Sequence, residues 1–132
     1  MNIKVTTEQG RVPVTVVHVS GDIDSATHTA FQSAAEKLIT DGARFLLINL
    51  KDSPYISSAG LRALHVLFNK LRSIHKDVND DDLRLQMKAG KYKSPYIKVA
   101  NLSPQTKDAF ELSGFETYIE VFNDVGKAVA SF

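Results

Sequence analysis

Apolar and polar residues alternate through the first twenty positions, with Ile3 and Val5 in one run and Val12, Val14 and Val16 in the next. A period of two is that of a half-buried strand, and Glu8-Gln9-Gly10-Arg11 between the runs supplies a turn, so the pattern predicts an antiparallel hairpin. Pro13 has no amide to donate and suits a strand start or an edge. After Gly21-Asp22-Ile23-Asp24 the period lengthens. Phe31, Ala34, Ala35, Leu38 and Ile39 share one side of a helix that Asp24 or Ser25 would cap and Gly42 would close. Arg44 to Leu50 is apolar without alternation, as a strand buried on both faces of a parallel sheet would be. From Ser58 the helical period returns through Leu61, Leu64, Leu67, Phe68, Leu71 and Ile74.

Tyr96 to Ala100 reads as a further strand. Ser103-Pro104 has the cap and first-turn proline of a third helix, which ends near Gly114. Tyr118 to Val121 predicts a last strand, and Val125, Val129 and Phe132 a terminal helix. The order β-β-α-β-α-β-α-β-α predicts one α/β domain over 1–132, with helices packed on a mostly parallel sheet.

About twenty residues between His75 and Tyr96 exceed the two to six that α/β connections usually take. This insertion, at about 76–95, starts acidic (Asp77, Asp80, Asp81, Asp82) and ends basic (Lys88, Lys91, Lys93). Leu83, Leu85 and Met87 alternate with polar residues, which fits either a short extra strand turning at Gly90 or a mobile loop. It would be a tolerated surface insertion or an element that selects a partner.

Composition narrows the function. Across 132 residues, 16 Lys+Arg against 15 Asp+Glu leave a net charge of +1, unlike the strongly basic domains that bind nucleic acid. The absence of cysteine excludes disulfides, thiol nucleophiles and thiolate zinc sites. The longest apolar run, Phe45-Leu46-Leu47-Ile48, is far below a bilayer span, and no secretory leader is recognisable, so the expected location is the cytoplasm. His18, His28, His65 and His75 have no metal-ligand spacing and read as surface or helix-flank residues. Ser57-Ser58-Ala59-Gly60 is neither a phosphate-binding loop nor a hydrolase nucleophile elbow. Two serines opening a helix are ordinarily caps. A phosphoryl group on one of them would sit among unpaired amides at the positive end of the helix dipole. Gly60 would let a partner approach closely or would relieve local packing.

The run Ile48-Asn49-Leu50 … Tyr55-Ile56-Ser57-Ser58-Ala59-Gly60-Leu61-Arg62-Ala63-Leu64 resembles the centre of STAS domains, specifically the bacterial anti-sigma factor antagonists. Gly21-Asp22-Ile23-Asp24, Ala100-Asn101-Leu102-Ser103-Pro104 and Phe110-Glu111-Leu112-Ser113-Gly114-Phe115 with Val121-Phe122 resemble three further parts of that family, in the same order. The resemblance implies a STAS-like fold and a switch without catalysis or cofactor of its own. The unmodified protein would sequester an anti-sigma factor that is also a serine kinase and so release a sigma factor; phosphorylation would end the complex and a serine phosphatase restore it. It carries the phosphoacceptor onto Ser58 and the partner surface onto Asp24, Asp52, Ala59, Gly60, Leu61 and Arg62. The family often has Asp before the acceptor. Here Ser57 stands there, as a cap or an alternative acceptor. The alternative function is a sensor module that binds a small molecule or nucleotide within a signalling assembly.

Overall fold

The alternating runs at the amino end form a hairpin in which β1 (Asn2–Gln9) pairs antiparallel with β2 (Pro13–Ser20), Val5 opposite Val17. A computed structural model of the chain describes residues 1–77 and 79–132; Val78, within the insertion, lies outside the described residues. Next to β2 lie β3 (Leu46–Asp52), β4 (Ile97–Ala100) and β5 (Val121–Phe122), each parallel to its neighbour, in the order β1-β2-β3-β4-β5. Parallel neighbours need crossover connections. These run through α1 (His28–Thr40), then α2 (Ser58–Ile74) with α3 (Asp80–Lys88), then α4 (Pro104–Ser113), and α5 (Val125–Ser131) ends the chain. The α/β architecture is that read from the sequence.

The sheet separates two apolar layers. On one face Val17, Val19, Leu46, Ile48, Leu50, Ile97 and Val99 pack with Phe31, Ala35 and Ile39 of α1 and Leu64, Leu67, Phe68 and Leu71 of α2. On the other, Val14, Val16, Leu47 and Ala100 are covered by Ala128 and Val129 of α5. Burial from both sides is why β3 carries no alternation. Lys98 lies on the α5 face and is only 4% exposed. Its ammonium donates to the carbonyl (3.1 Å) and hydroxyl (2.9 Å) of Ser131, lies 3.4 Å from the Glu120 carboxylate, and sits over the Phe132 ring. A cation at the carboxyl end of α5 thus holds that helix to the sheet.

Three expectations change. The insertion is mainly a helix. Asn79 caps α3 by accepting the Asp82 amide at 2.9 Å, Asp80 to Asp82 occupy its positive end, and Leu83 and Met87, one turn apart, pack onto the core while Leu85 is 67% exposed. The i, i+4 spacing of Leu83 and Met87 outweighs the alternation that suggested a strand. The buried Tyr92, whose hydroxyl donates to Asp77, ties the rest of the insertion down, so it is not a solvated loop throughout. The last strand begins later than expected: Phe115–Thr117 is a 3₁₀ turn, and the buried Tyr118 side chain belongs to the core rather than to a strand. Helix α1 also starts later, because Asp24 closes a separate turn before it.

Three of the four histidines are more integrated than flank residues, while His28 stands at the start of α1. His18 bridges Thr6 (2.9 Å) and Asn49 (3.0 Å), and His75 stacks on Tyr96 with centroids 3.9 Å apart. His65 lies 3.2 Å from the Tyr118 hydroxyl among Phe68 and Phe115. Burial lowers the His65 pKa, and the nearby Arg72 charge adds to this; burial also pushes the Tyr118 phenol up to about 12.

Outside the main sheet, Ile23 and Ile56 form an isolated parallel bridge, and the first turn of α2 lies directly against it. A β-carbon on Gly60 would come within 2.6 Å of Ile56 Cγ1, 2.8 Å of Ile23 Cγ2 and 2.9 Å of the Ile23 carbonyl oxygen. The glycine is there for packing.

Three measurements check this arrangement. Leu64→Ala should lower stability by about 2–5 kcal/mol, seen as a lower urea midpoint at unchanged slope; an unchanged midpoint would mean that α2 does not pack as described. Gly60→Ala should cost about 1–3 kcal/mol from overpacking, in contrast to the gain a helical Gly→Ala change brings at an open site. The His65 imidazole, followed by NMR, should titrate below the usual value near 6.5. A depressed histidine pKa means that the unfolded chain takes up the proton first, so the His65 contribution is complete above about pH 6.5 and is lost as pH falls through the folded pKa.

Candidate functional site

Leaving β3 at Asp52, the chain buries Ser53, passes Pro54, and runs extended through Tyr55, Ile56 and Ser57 into α2. This segment is held on both edges. The Ile23 amide donates to the Tyr55 carbonyl at 3.0 Å and the Ser57 amide to the Ile23 carbonyl at 2.8 Å, forming the bridge. On the far edge the Gln105 carboxamide accepts the Ile56 N–H at 3.1 Å and donates to the Ile56 carbonyl at 3.3 Å. Ser103 donates its hydroxyl to the Pro54 carbonyl at 2.7 Å.

The two serines have different places. Ser57 is the N-cap of α2: its backbone is extended and its hydroxyl accepts the Gly60 amide at 3.3 Å. Ser58 is the first helical residue and is exposed. The first amides of a helix have no partner within it, so the Ser58 hydroxyl stands beside donors and a positive helix end. Arg62, also exposed, is one turn further on, the spacing at which side chains on a helix meet.

Of the other residues singled out, Asp24 lies next to the bridged Ile23, as Ser57 does to Ile56, so the bridge brings their segments side by side. Its carboxylate accepts the amides of Ala26 (2.9 Å) and Thr27 (3.1 Å). The Ala26 bond above all holds its pKa below the usual carboxylate value. Asp52 is exposed, and its carbonyl accepts the Gly21 amide at 2.9 Å. Ala59 and Leu61 are half-buried. Gly60 is buried against Ile23 and Ile56 and turns no open surface to a partner.

Two concavities border this corner. A groove of about 390 Å³ runs from Ser58 and Arg62 along Leu61 and His65 to Ser113, Phe115 and Tyr118. Its walls are largely apolar, and Leu112, next to Ser113, is 90% exposed. The second, about 640 Å³, opens where β3, β4 and β5 end and is lined by Lys51, Asn101, Ser103, Lys107, Phe122 and Asn123, among others. The bonds of Gln105 and Ser103 to the Pro54–Ile56 segment, and the meeting of α2 with Ser113 and Phe115 across the groove, are invisible in a one-dimensional reading. Gln105 is an ordinary polar residue in the first turn of a helix, and only the fold sets it against Ile56. Among the described residues no group of three or more His, Asp or Glu could hold a metal ion, and no helix is long and apolar enough to cross a membrane.

Comparison with known proteins bears on the fold and the family. BtrV of Bordetella bronchiseptica, which bears the name of an anti-sigma factor antagonist, is 25% identical over 114 residues, covering 86% of this chain and 82% of its own. The crystal structure of an anti-sigma factor antagonist from Mycobacterium paratuberculosis superposes with a TM-score of 0.70 at 22% identity, over 98% of this chain and 93% of that one. The Bacillus cell fate determinant SpoIIAA in its phosphorylated form gives 0.63 at 13% identity, over 97% and 96% of the two chains. At these identities the two structures show a shared fold. The STAS domain family itself matches residues 4–78, a stretch holding most of the hairpin, the Ile23–Ile56 bridge, the Ser57–Ser58 corner and all of α2, and the chain belongs to that family.

Proposed function

We propose that this protein is a phosphorylation-controlled binding module: unmodified, it sequesters an anti-sigma factor with serine kinase activity and so frees a sigma factor, and phosphorylation of Ser58 ends the complex. The observation that carries the reading is the division of labour at the head of α2, where the Ser57 hydroxyl is engaged in capping while the Ser58 hydroxyl is exposed at the rim of the apolar groove. The names of the antagonist relatives supply the class of partner. Transfer of the γ-phosphoryl group of ATP to Ser58 Oγ, with loss of the hydroxyl proton and departure of ADP, places close to two negative charges at the groove mouth. The free amides of α2 and the Arg62 guanidinium would steady that dianion without refolding. An apolar partner side chain entering between Leu61 and Phe115 would then have to strip a phosphate of water, which weakens binding. ATP and magnesium belong to the partner, and a serine phosphatase resets the switch. In this reading Asp24, Asp52, Ala59, Leu61 and Arg62 form the contact surface for the partner, and Gly60 contributes by setting the helix position.

The basic and amide-lined cleft at the strand carboxyl ends favours a second reading, a sensor that takes a small anionic molecule, because open α/β sheets bind ligands at that end. Thermal shift with ADP or inorganic phosphate and no added kinase tests it: a saturable rise in melting temperature that Lys51→Ala and Lys107→Ala abolish would support the sensor.

For the switch, incubation with the anti-sigma kinase and ATP should add a single phosphate by intact mass. Ser58→Ala should bind the kinase as well as the wild type and accept no phosphate. Ser58→Asp should bind at least about tenfold more weakly, although one charge and fewer acceptor oxygens mimic phosphate incompletely. Fragment-ion mapping of the phosphate to Ser57, with Ser58→Ala still fully modified, would refute the assignment.

A further inference from the structure

The segment that presents Ser58 behaves as a strand with a side chain in place of one neighbour. In a parallel bridge each bridged residue of one strand leaves its own N–H and C=O pointing away from the partner strand. Ile56 is such a residue, since the bonds to Ile23 come from Tyr55 and Ser57. Among the described residues no further strand follows on that side. The Gln105 carboxamide fills the place, taking the Ile56 N–H on Oε1 and giving an Nε2 proton to the Ile56 carbonyl. A carboxamide is the side chain that can offer an acceptor and a donor side by side, as a strand backbone does. Gln105 is itself exposed, and its two bonds span 49 residues of sequence. Ser103, two residues earlier and the cap of α4, adds a single bond, donating its hydroxyl to the Pro54 carbonyl.

We infer that Gln105 is a positioning residue for the switch: acting through Ile56, it holds the Tyr55–Ser57 segment in the one conformation that presents Ser58 to the kinase. The inference rests on Ser58 being the acceptor, as proposed above. Without the clamp the segment keeps the Ile23 edge and the Ser57 cap but loses its outer edge, so the presented conformation becomes a fraction of the population. A partner that binds only that fraction sees a proportionally weaker apparent affinity. The chemistry after binding is untouched. The signature is therefore a rise in KM at constant kcat.

The test uses the full chain with Gln105→Met, which keeps length and loses both bonds, and Gln105→Glu, whose carboxylate still accepts the Ile56 amide but no longer donates. Amide exchange at Ile56 and Ser57 should quicken about tenfold or more in Gln105→Met while exchange in β2 and β3 and the melting temperature stay near wild type. With the kinase that modifies the wild-type chain, KM for Gln105→Met should rise about tenfold at unchanged kcat, and Gln105→Glu should fall between. Unchanged exchange at Ile56, a uniform loss of protection with a lowered melting temperature, or quickened exchange with an unchanged KM would each overturn the inference. If no kinase modifies Ser58 in the wild type, the functional reading has failed separately, and unaltered or quickened exchange at Ile56 still reports whether Gln105 holds the segment.

Discussion

There is no room for a methyl group where the first turn of α2 crosses the Ile23–Ile56 bridge. The site that Gly60 leaves open is bounded by two isoleucine side chains and a backbone carbonyl, and the carbonyl cannot swing aside as a flexible side chain can. This contact fixes the height of the helix above the bridge, and much else follows from it. With Gly60 seated, its amide lies within reach of the Ser57 hydroxyl, Ser57 becomes the cap, and Ser58 is left as the first helical residue on the outside. The same seating sends Leu64, Leu67, Phe68 and Leu71 onto the sheet. Core and candidate switch therefore share one constraint.

The corner is built so that a charge can be added to it at little structural cost. Its backbone polar groups are paired on both edges, by Ile23 within the bridge and by Gln105 from α4, and the Ser58 hydroxyl lies outside that pairing. In the proposed reading, a phosphate on Ser58 would change the field over the apolar groove while the bonds that shape the segment stayed as they are. A switch so proposed would act by surface chemistry rather than by refolding. The insertion lies along the same helix: His65 touches both the groove and a smaller hollow of about 280 Å³ beneath α3, so α3 adjoins the region a partner of Ser58 would approach.

Away from this corner, the opposite face of the sheet is held by polar means as well as apolar ones. Lys98 ties the end of α5 to β4 through Ser131, and His18, Asn49 and Asn101 form a chain of bonds across the strands, with Asn101 giving its side-chain amide to Asn49 at 2.9 Å. Asn101 sits at φ +62, a region Asn tolerates better than most residues, just where β4 turns into the Ser103-Pro104 start of α4. That turn aims α4 back at the Pro54–Ile56 segment, which is how Gln105 reaches it.

By itself the sequence determined whatever depends on local periodicity and caps. The hairpin, the doubly buried β3, the amphipathic α2 opening at Ser58, and α4 with its Ser103 cap and Pro104 were legible because a period of 2 or 3.6 and a few capping residues leave little choice. The Ser57–Ser58 pair stood out for the same reason, since serines preceding an apolar helical period mark a helix start. Where two periods competed, as at Leu83, Leu85 and Met87, only packing against α2 decided for the helix. Tyr118, expected to open the last strand, is needed in the core beside Phe68, Phe115 and His65, and the strand begins only at Val121. Gly60 could have served a partner or the interior, and the nearness of Ile23, thirty-seven residues earlier, assigned it to the interior. Gln105 gave no local signal, because its partners are backbone groups that any residue at position 56 would carry. A bond to such groups depends on where two distant segments come to rest, and that is set by the tertiary structure alone.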